Sequence, residues 1–296
     1  MYSGYDRRDD YFQTYLRITE GAKMHILPDE NLRSRPIASA LDYTWAALSG
    51  NWKSSAIIAS VILVLTILQA VPAIGLLAAM ISSLLLYSAA FRIVDAVMQS
   101  DSVSALKERM QALGAKEILF TYLSPAAGLY LGFILISLIV IVATSLIFWL
   151  SGGEAVLGMI EEQMGRPDAS AQQSMQIYAQ IVATSTPTLL FFLIVASFFG
   201  YLWPLIYGYA LMQRGFLDAL NAVFTIFYPR FWSATFNSKY LKTVSMWMLL
   251  AFGASILTAI CAATLLLIPV AILLMVWLAY FTAIVAAETY NFSDDI

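Results

Sequence analysis

The hydrophobic residues of this chain gather in long stretches that are separated by shorter polar segments. Six stretches are apolar over about 20 residues, the length that a helix needs to cross a hydrocarbon core of about 30 Å. They lie at 52–71, 73–94, 125–150, 188–209, 243–265 and 267–287. This pattern predicts an all-α fold, a polytopic membrane helix bundle of six transmembrane helices over residues 37–290, between polar tails at 1–36 and 291–296.

Two pairs of these spans are cut from runs about twice as long as one crossing requires. Each run has a proline near its middle, Pro72 in the first and Pro269 in the second. Proline lacks a backbone N–H and clashes with the preceding turn, so a helix readily ends there. We therefore expect two tight helical hairpins. The alternative is a re-entrant loop, whose backbone must be covered by protein or line a water-filled cavity.

The two hairpins also suggest an internal repeat. The aromatic lead-in DYTWAALSGNWKSS precedes the first hairpin, and FWSATFNSKYLKTV precedes the last. Both copies run in the same direction across the membrane, which predicts a parallel repeat; chance similarity of apolar sequence explains the pattern equally well.

The basic residues are distributed very unevenly among the loops. Of the 16 Lys and Arg residues, seven precede or begin the first span, four lie between the end of the second span and the third, and four lie between the fourth and the fifth. Only Arg166 falls on the opposite side. Because Lys and Arg accumulate on the cytoplasmic side, the bias predicts a bacterial inner (plasma) membrane protein with both termini in the cytoplasm.

Three amphipathic segments follow or precede the spans on the predicted cytoplasmic side. Their apolar residues recur at steps of three and four, which places them on one helix face. The segments contain Ile37, Leu41, Trp45, Leu48 and Trp52; Val103, Leu106, Met110 and Leu113; and Leu217, Leu220, Phe224 and Phe227. Ser39 with Asp42 resembles a capping box at the start of the first segment, and Pro229 is expected to end the third.

Aromatic residues concentrate on the same side. Trp45, Trp52, Phe231 and Trp232 are candidate interfacial anchors, because an aromatic ring can be half buried and half hydrated at the headgroup level. The alternative is a docking surface for a partner protein.

The predicted periplasmic side has one long connection, residues 151–187, which is acidic. Apolar residues at helical spacing predict two short amphipathic helices within it. The first contains Val156, Ile160 and Met164, and the second contains Met175, Tyr178 and Val182 and leads into the fourth span.

Small residues recur at helical spacing in two spans. Gly128 and Gly132 form a Gly-x-x-x-Gly pair, and Gly200, Pro204 and Gly208 follow one another every four residues. Small residues let helices approach closely, and a proline inside a helix can bend it. We predict that these five positions pack helices within the bundle; a hinge or a seam between two copies is the alternative.

The sequence lacks the signatures of catalysis. A nucleophile, base or metal requires polar side chains within hydrogen-bond reach of one another. The one histidine, His25, lies in the amino-terminal tail, and the one cysteine, Cys261, lies in an apolar run. No metal-ligand pair, phosphate-binding glycine loop or Gly-x-Ser-x-Gly motif occurs. We therefore predict no enzymatic activity, no metal and no cofactor.

Composition and charge exclude further functional classes. The chain is 60% hydrophobic and 12% charged with a net charge of -3, so it lacks the basic footprint of a nucleic-acid-binding protein. Ion-driven carriers usually keep an ionisable group inside the membrane, and none lies in the middle of a span. Arg92, Asp95 and Glu288 lie at predicted cytoplasmic ends, where we expect snorkelling or capping.

The order of elements from Ala38 to Tyr290 resembles a family of bacterial and archaeal multi-pass proteins described as a membrane domain of unknown function. The resemblance is carried by DYTWAALSGNWKSS, the prolyl hairpin, the helix exit YSAAFRIVDAVMQSD and the last hairpin ending in AAETY. The broader group is similar to the membrane domain attached to some glycerophosphodiesterases. The resemblance implies a multi-pass membrane fold and brings no catalytic residue with it.

Two functional hypotheses fit these features. The first is a non-enzymatic scaffold or accessory subunit of a membrane complex, which contacts the lipid bilayer and either a membrane-protein partner or a second copy of the chain. The second is a permease or lipid-handling protein for an uncharged or amphipathic substrate, suggested by Pro204 between two glycines. The second hypothesis predicts a cavity at mid-membrane depth.

Overall fold

The computed structural model describes residues 35–164, 171–233, 235–264 and 267–291, and within them the chain is helical with no strand. The helices are α1 (Pro36–Gly50), α2 (Trp52–Leu68), α3 (Gly75–Met98), α4 (Val103–Ala112), α5 (Ala115–Phe120), α6 (Leu123–Leu150), α7 (Gly153–Met164), α8 (Ala171–Leu211), α9 (Phe216–Phe224), α10 (Pro229–Ser233), α11 (Ser238–Ala262) and α12 (Ile268–Asn291), with a 3₁₀ turn at Thr225–Phe227. The predicted all-α fold is confirmed.

Six of these helices overlap the predicted spans. Within the described residues, α3, α6, α8, α11 and α12 are each long and apolar enough to cross a membrane. Helix α2 has 17 residues, which rise about 26 Å and so fall slightly short of the hydrocarbon core. With α1, from which it turns by 91°, it meets the same criteria of length and hydropathy. The protein is a multi-pass membrane helix bundle.

Both prolyl turns separate two helices, as predicted. Helix α2 ends at Leu68 and α3 begins at Gly75, with Pro72 in the turn between them. Pro269 is the second residue of α12, where a helix makes no intrahelical bond through the backbone N–H. In each pair the two helices pack against each other. Each long apolar run is therefore a hairpin.

Helices α3 and α12, the second helices of the two hairpins, form the centre of the bundle. In the most apolar 18-residue segment of each helix, 50% of the residues of α3 and 56% of those of α12 are buried, against 11% in both α6 and α11. They pack against each other, and every other spanning helix contacts one or both of them. The core includes Phe91, Val94, Tyr280 and Phe281, which have no exposed surface.

Short helices close one end of the bundle. Helices α1, α4, α5 and α9 lie where α2, α6 and α11 begin and where α3, α8 and α12 end. We call this the capped end and the opposite one the open end. Most fully buried side chains lie towards the capped end: Ile136 is the last buried residue of α6, and Leu202 is the first described buried residue of α8.

Asn51 holds the break between α1 and α2 against the end of α4. Its carboxamide oxygen accepts a hydrogen bond from the backbone N–H of Ser54 at 3.0 Å and so caps α2. Its amide nitrogen donates to the carbonyl oxygens of Met110 at 3.0 Å and Leu113 at 2.5 Å. Met110 lies in the last turn of α4 and Leu113 directly follows the helix. One side chain therefore bonds to backbone groups at two helix ends.

Two details of the predicted amphipathic helices are wrong. Ser39 does not cap α1, which begins at Pro36 and has no side-chain cap. The most buried residues of α1 include Ala40, Tyr43 and Ala47, about 100° around the helix from Leu41, Trp45 and Leu48. Of the predicted stripe, Ile37 is also buried, and Leu41 and Leu48 are half-buried against the core.

In helix α9 the buried face is likewise rotated about the helix axis from the predicted apolar stripe. It buries Ala219, Ala222 and Val223 and exposes Leu217. In a bilayer, lipid satisfies large apolar side chains as well as protein does, so small residues mark the packed face. Helix α4 agrees with its prediction, because Leu106, Met110 and the following Leu113 are buried. Pro229 lies after the break and begins α10.

The fourth span is longer than predicted. The second amphipathic helix of residues 151–187 is the beginning of α8, a single helix of 41 residues with Pro187 and Pro204 inside it. A proline removes one intrahelical hydrogen bond, but in an apolar setting the remaining backbone bonds still favour a continuous helix. The first predicted helix is confirmed as α7.

Helix α8 extends well past the end of α6. Helix α6 has 28 residues, which rise about 42 Å and match a bilayer of about 40–45 Å with its headgroups. Gly152, with a φ of +88°, follows α6, and a Cβ there would stand 3.6 Å from the methyl carbon of Thr184. Residues 171–183 of α8 therefore extend beyond the end of α6. We call these residues, together with α7, the arm.

Candidate functional site

The carboxylate of Asp95 gathers basic side chains at the capped end. Asp95 lies near the end of α3, and its side chain is 7% exposed. One of its oxygens is 2.9 Å from a guanidinium nitrogen of Arg92, one turn earlier on the same helix. The other is 2.7 Å from a guanidinium nitrogen of Arg214, in the loop between α8 and α9. No sequence pattern indicates the second contact, because 119 residues separate the partners.

Tyr122 completes the Asp95 cluster from the start of α6. The guanidinium carbon of Arg214 lies 5.2 Å from the centre of the Tyr122 ring, within range of a cation–π interaction. Phe91 stacks on the same ring at 6.1 Å between centroids. Burial and the hydrogen bond to Asp95 raise the pKa of Tyr122, so the phenol stays protonated and donates to the carboxylate.

The cluster joins three parts of the chain that are distant in sequence. It ties the end of α3 to the start of α6 and to the connection that follows α8. We expected Asp95 and Glu288 to reach the surface or cap a helix, and this expectation is wrong. Asp95 is buried against its partners, and Glu288 of α12 has no exposed surface. Carboxylates at the end of a span can point inward when protein groups compensate the charge.

The predicted small residues lie where helices cross, but the helices approach one another more closely at some of these positions than at others. A Cβ on Gly128 would overlap the carbonyl oxygen of Phe216, and one on Gly132 would stand 2.8 Å from a methyl carbon of Val223. The Gly-x-x-x-Gly pair therefore faces the amphipathic helix α9 and not another span. Together the two glycines let α9 lie directly on the backbone of α6.

In α8 only one of the two predicted glycines meets a neighbouring backbone. A Cβ on Gly208 would overlap the carbonyl oxygen of Ala286 in α12. At Gly200 the nearest atom to such a Cβ is the terminal methyl of Met248 at 3.5 Å, an ordinary contact. Pro204 lies between them and is buried. The close crossing of α8 and α12 is thus at the capped end of α8.

The four predicted anchors divide into two environments. Trp45 and Trp52 project outward at the bend between α1 and α2 and are largely exposed. Phe231 and Trp232 are half-buried in α10, where the indole N–H of Trp232 donates to the carbonyl of Ile226 at 2.6 Å. Tyr209 packs on Phe231 at 6.1 Å. The first pair is exposed, so its predicted role as an interfacial anchor stays a prediction. The second pair fastens the α9–α10 connection to the bundle.

The arm carries an apolar stripe that no described residue covers. Met175, Tyr178 and Val182 recur at steps of three and four, and their exposed fractions are 76%, 60% and 63%. The other side of this segment includes Gln176 and Gln180, which are also exposed. Inside a bilayer such a stripe would face lipid, but these residues lie beyond the end of α6.

Two hollows stand out on the described surface, and both open outward. One lies on the outer face of α2, beside Ile57, Val64 and neighbouring residues. The other, of about 330 Å³, lies between α6 and α8 towards the open end. The centre of the bundle between α3 and α12 is filled by side chains. Neither hollow is the mid-membrane cavity that a permease would require.

Metal-ligating residues do not cluster in the part of the chain that the structure describes. No three His, Cys, Asp or Glu residues lie close enough there to hold a metal ion. His25 and Arg166 lie outside the described residues. Cys261 is buried and free near the end of α11.

Comparison with known proteins identifies no relative. No family model, no curated protein and no solved structure matches the chain. The resemblance to a multi-pass family related to the glycerophosphodiesterase membrane domain therefore stays a prediction.

Proposed function

We propose that this protein is a non-enzymatic scaffold or accessory subunit of a membrane complex, and that its arm is the contact surface. The observation that carries the proposal is the exposed stripe of Met175, Tyr178 and Val182 on a helix that continues past the end of α6. Exposed apolar residues in water are destabilising when they form a contiguous surface, and such surfaces typically mark interaction sites. Helix α8 joins this surface to the core of the bundle.

The filled centre of the bundle supports a structural role. The core between α3 and α12 is closely packed, and the Asp95 cluster and the Gly208 crossing fix α8 to it. A bundle without an internal passage is suited to holding a partner in place. The same features weigh against the permease hypothesis, which expected a cavity at this depth.

The distribution of charge supports an inner-membrane location with both termini in the cytoplasm. Every Lys and Arg that the structure describes belongs to the capped end: Arg35, Lys53, Arg92, Lys107, Arg109, Lys116, Arg214, Arg230, Lys239 and Lys242. Under the positive-inside rule the capped end faces the cytoplasm and the arm projects into the periplasm.

Reporter fusions test this orientation. Alkaline phosphatase, which folds only in the periplasm, is expected to be active when fused after Glu154 in α7. It is expected to be inactive when fused after Gly114 or Lys239 at the capped end, because both positions follow segments retained in the cytoplasm. Activity at Gly114 or Lys239 would reverse the assignment of the two ends.

A variant of the stripe tests the role of the arm. Met175→Gln, Tyr178→Gln and Val182→Gln together remove the apolar surface without touching the bundle core. Solubilised in mild detergent at native expression, the wild-type chain is expected in an assembly larger than its own 32.7 kDa. In the variant the association constant of that assembly is expected to fall at least about tenfold, because each 1.4 kcal/mol of lost contact energy weakens binding tenfold.

The control for this experiment is Gln176→Ala with Gln180→Ala, which changes the polar side of the same helix segment. It is expected to assemble as the wild type does. Mass analysis of the purified assembly distinguishes a second copy of the chain from a different protein. A wild-type chain that runs as a solitary monomer would contradict the proposal.

A further inference from the structure

The groove between α6 and α8 combines apolar walls with unpaired hydroxyl groups. It has a volume of about 330 Å³, and its walls include Val140, Ile141, Phe148 and Phe192. The side chains of Thr144 and Thr188 line it from opposite helices. The hydroxyl oxygens of both threonines are shielded from solvent and have no hydrogen-bond partner. A shielded hydroxyl without a partner is destabilising, because it has lost its hydrogen bonds to water.

Several other hydroxyls in the spans donate within their own helix, although that of Ser88 in α3 is also unpaired. Those of Ser60, Thr66, Ser255 and Thr258 each donate to the carbonyl oxygen four residues earlier, at 2.7–2.8 Å. This local bond is the usual solution for Ser and Thr in an apolar setting. Thr144 and Thr188 depart from it, so each leaves an unpaired donor at the wall of the groove. A rotation about the Cα–Cβ bond would turn each hydroxyl towards an occupant.

The depth of Thr144 identifies the acceptor that the surroundings can supply. If the midpoint of α6 lies at the bilayer centre, Thr144 is about 11 Å from that centre, just inside the edge of a hydrocarbon core of about 30 Å. Trp149 is about five residues further out, at the level of the headgroups where tryptophan is favoured. The ester carbonyls of a phospholipid lie at the edge of the core, within reach of these hydroxyls.

The dimensions of the groove favour a lipid chain over a protein helix. A helix about 10 Å wide fills about 400 Å³ in a single turn of 5.4 Å, which exceeds the volume between α6 and α8. The residues that line the groove extend over more than two turns, from Val140 to Trp149. A hydrocarbon chain is narrow enough to follow that length, and the walls carry no charge.

We propose that this groove binds one phospholipid from the open-end leaflet, with an acyl chain along Phe148 and Phe192 and an ester carbonyl accepting hydrogen bonds from Thr144 and Thr188. The site lies within the bilayer and the arm lies beyond it. It therefore does not depend on the arm being a contact surface, and either proposal can fail without the other.

Native mass spectrometry of the full chain in detergent tests the site with two probes, a diester phosphatidylethanolamine and the diether lipid with the same chains. The diether keeps the hydrocarbon and headgroup but lacks the carbonyl oxygens. The wild type is expected to bind the diester at least about fivefold more tightly, as two neutral hydrogen bonds would give. Thr144→Val with Thr188→Val is expected to bind both lipids equally.

Two further variants separate the hydroxyls from effects on folding. Thr144→Ser with Thr188→Ser keeps both donors and is expected to retain the preference for the diester. Thr258→Val removes a hydroxyl of α11 that is already bonded to its own helix, and it is expected to behave as the wild type. Equal binding of the two lipids by the wild type would overturn the proposal, as would a dimer whose groove is filled by a second copy and holds no lipid.

Discussion

Gly208→Ala is expected to lower the free energy of unfolding by about 3 kcal/mol or more, because overpacking at a rigid backbone contact is strongly destabilising. The new methyl group would overlap the carbonyl oxygen of Ala286 and would stand 3.1 Å from the Cβ of Tyr290. A carbonyl in the middle of a helix cannot move aside alone. The whole of α8 would have to shift away from α12, and the stacking of Tyr209 on Tyr290 at 5.6 Å would be lost.

Thermal unfolding in detergent measures this effect. The melting temperature of Gly208→Ala is expected to fall by at least about 5 °C, at a few degrees per kcal/mol for a chain of this size. Gly253→Ala is the matched control, because nothing lies within 4 Å of a Cβ at Gly253 in α11. Alanine favours helix more than glycine does, so this control should melt at or above the wild-type temperature. Equal melting of the two variants would mean that α8 and α12 do not meet at Gly208.

Asp95→Ala is expected to lower the free energy of unfolding by about 3 kcal/mol, because removing one member of a buried ion pair leaves its partners uncompensated. Arg92 is largely buried, while the side chain of Arg214 is 51% exposed and regains hydration more readily. Most of the lost stability therefore comes from leaving Arg92 and the Tyr122 hydroxyl without their partner. The loop after α8 would also lose its attachment to α3.

A double-mutant cycle separates the two arginines. Arg214→Ala alone is expected to destabilise the protein less than Asp95→Ala, and the combined variant should show a coupling energy of about 1 kcal/mol between the residues. Asp101→Ala, an exposed carboxylate at the same end of the bundle, is the control and should change stability by less than about 0.5 kcal/mol. If Asp95→Ala behaves like Asp101→Ala, the cluster contributes no stability.

The spans could be predicted from sequence because length and hydropathy act locally. A run of apolar residues crosses the membrane whatever its neighbours are, and a proline such as Pro72 ends a helix through its own backbone chemistry. The limits of α8 were missed for a related reason. Its first half is polar enough to resemble a loop, and only the continuous backbone hydrogen bonding shows that Pro187 does not end the helix.

The packed faces could not be predicted from the same pattern. In a soluble protein the largest apolar residues mark the core, because water excludes them. Here lipid accepts Trp45 and Leu217 as readily as protein would, and the helices meet through Ala40 in α1 and Ala219 in α9. The helical spacing of small residues indicates close contacts at Gly128 and Gly208, but it does not identify Phe216 and Ala286 as their partners.

The sequence by itself determined a membrane bundle of five or six spans, two prolyl hairpins and a strong charge asymmetry between its ends. Each follows from the solubility or backbone chemistry of neighbouring residues. Tertiary structure alone decided that α3 and α12 form the centre, that Asp95 meets Arg214, and that Thr144 and Thr188 share one groove. These pairings join positions far apart in the chain. They depend on how helices of similar hydropathy fit together, and hydropathy alone does not distinguish one partner from another.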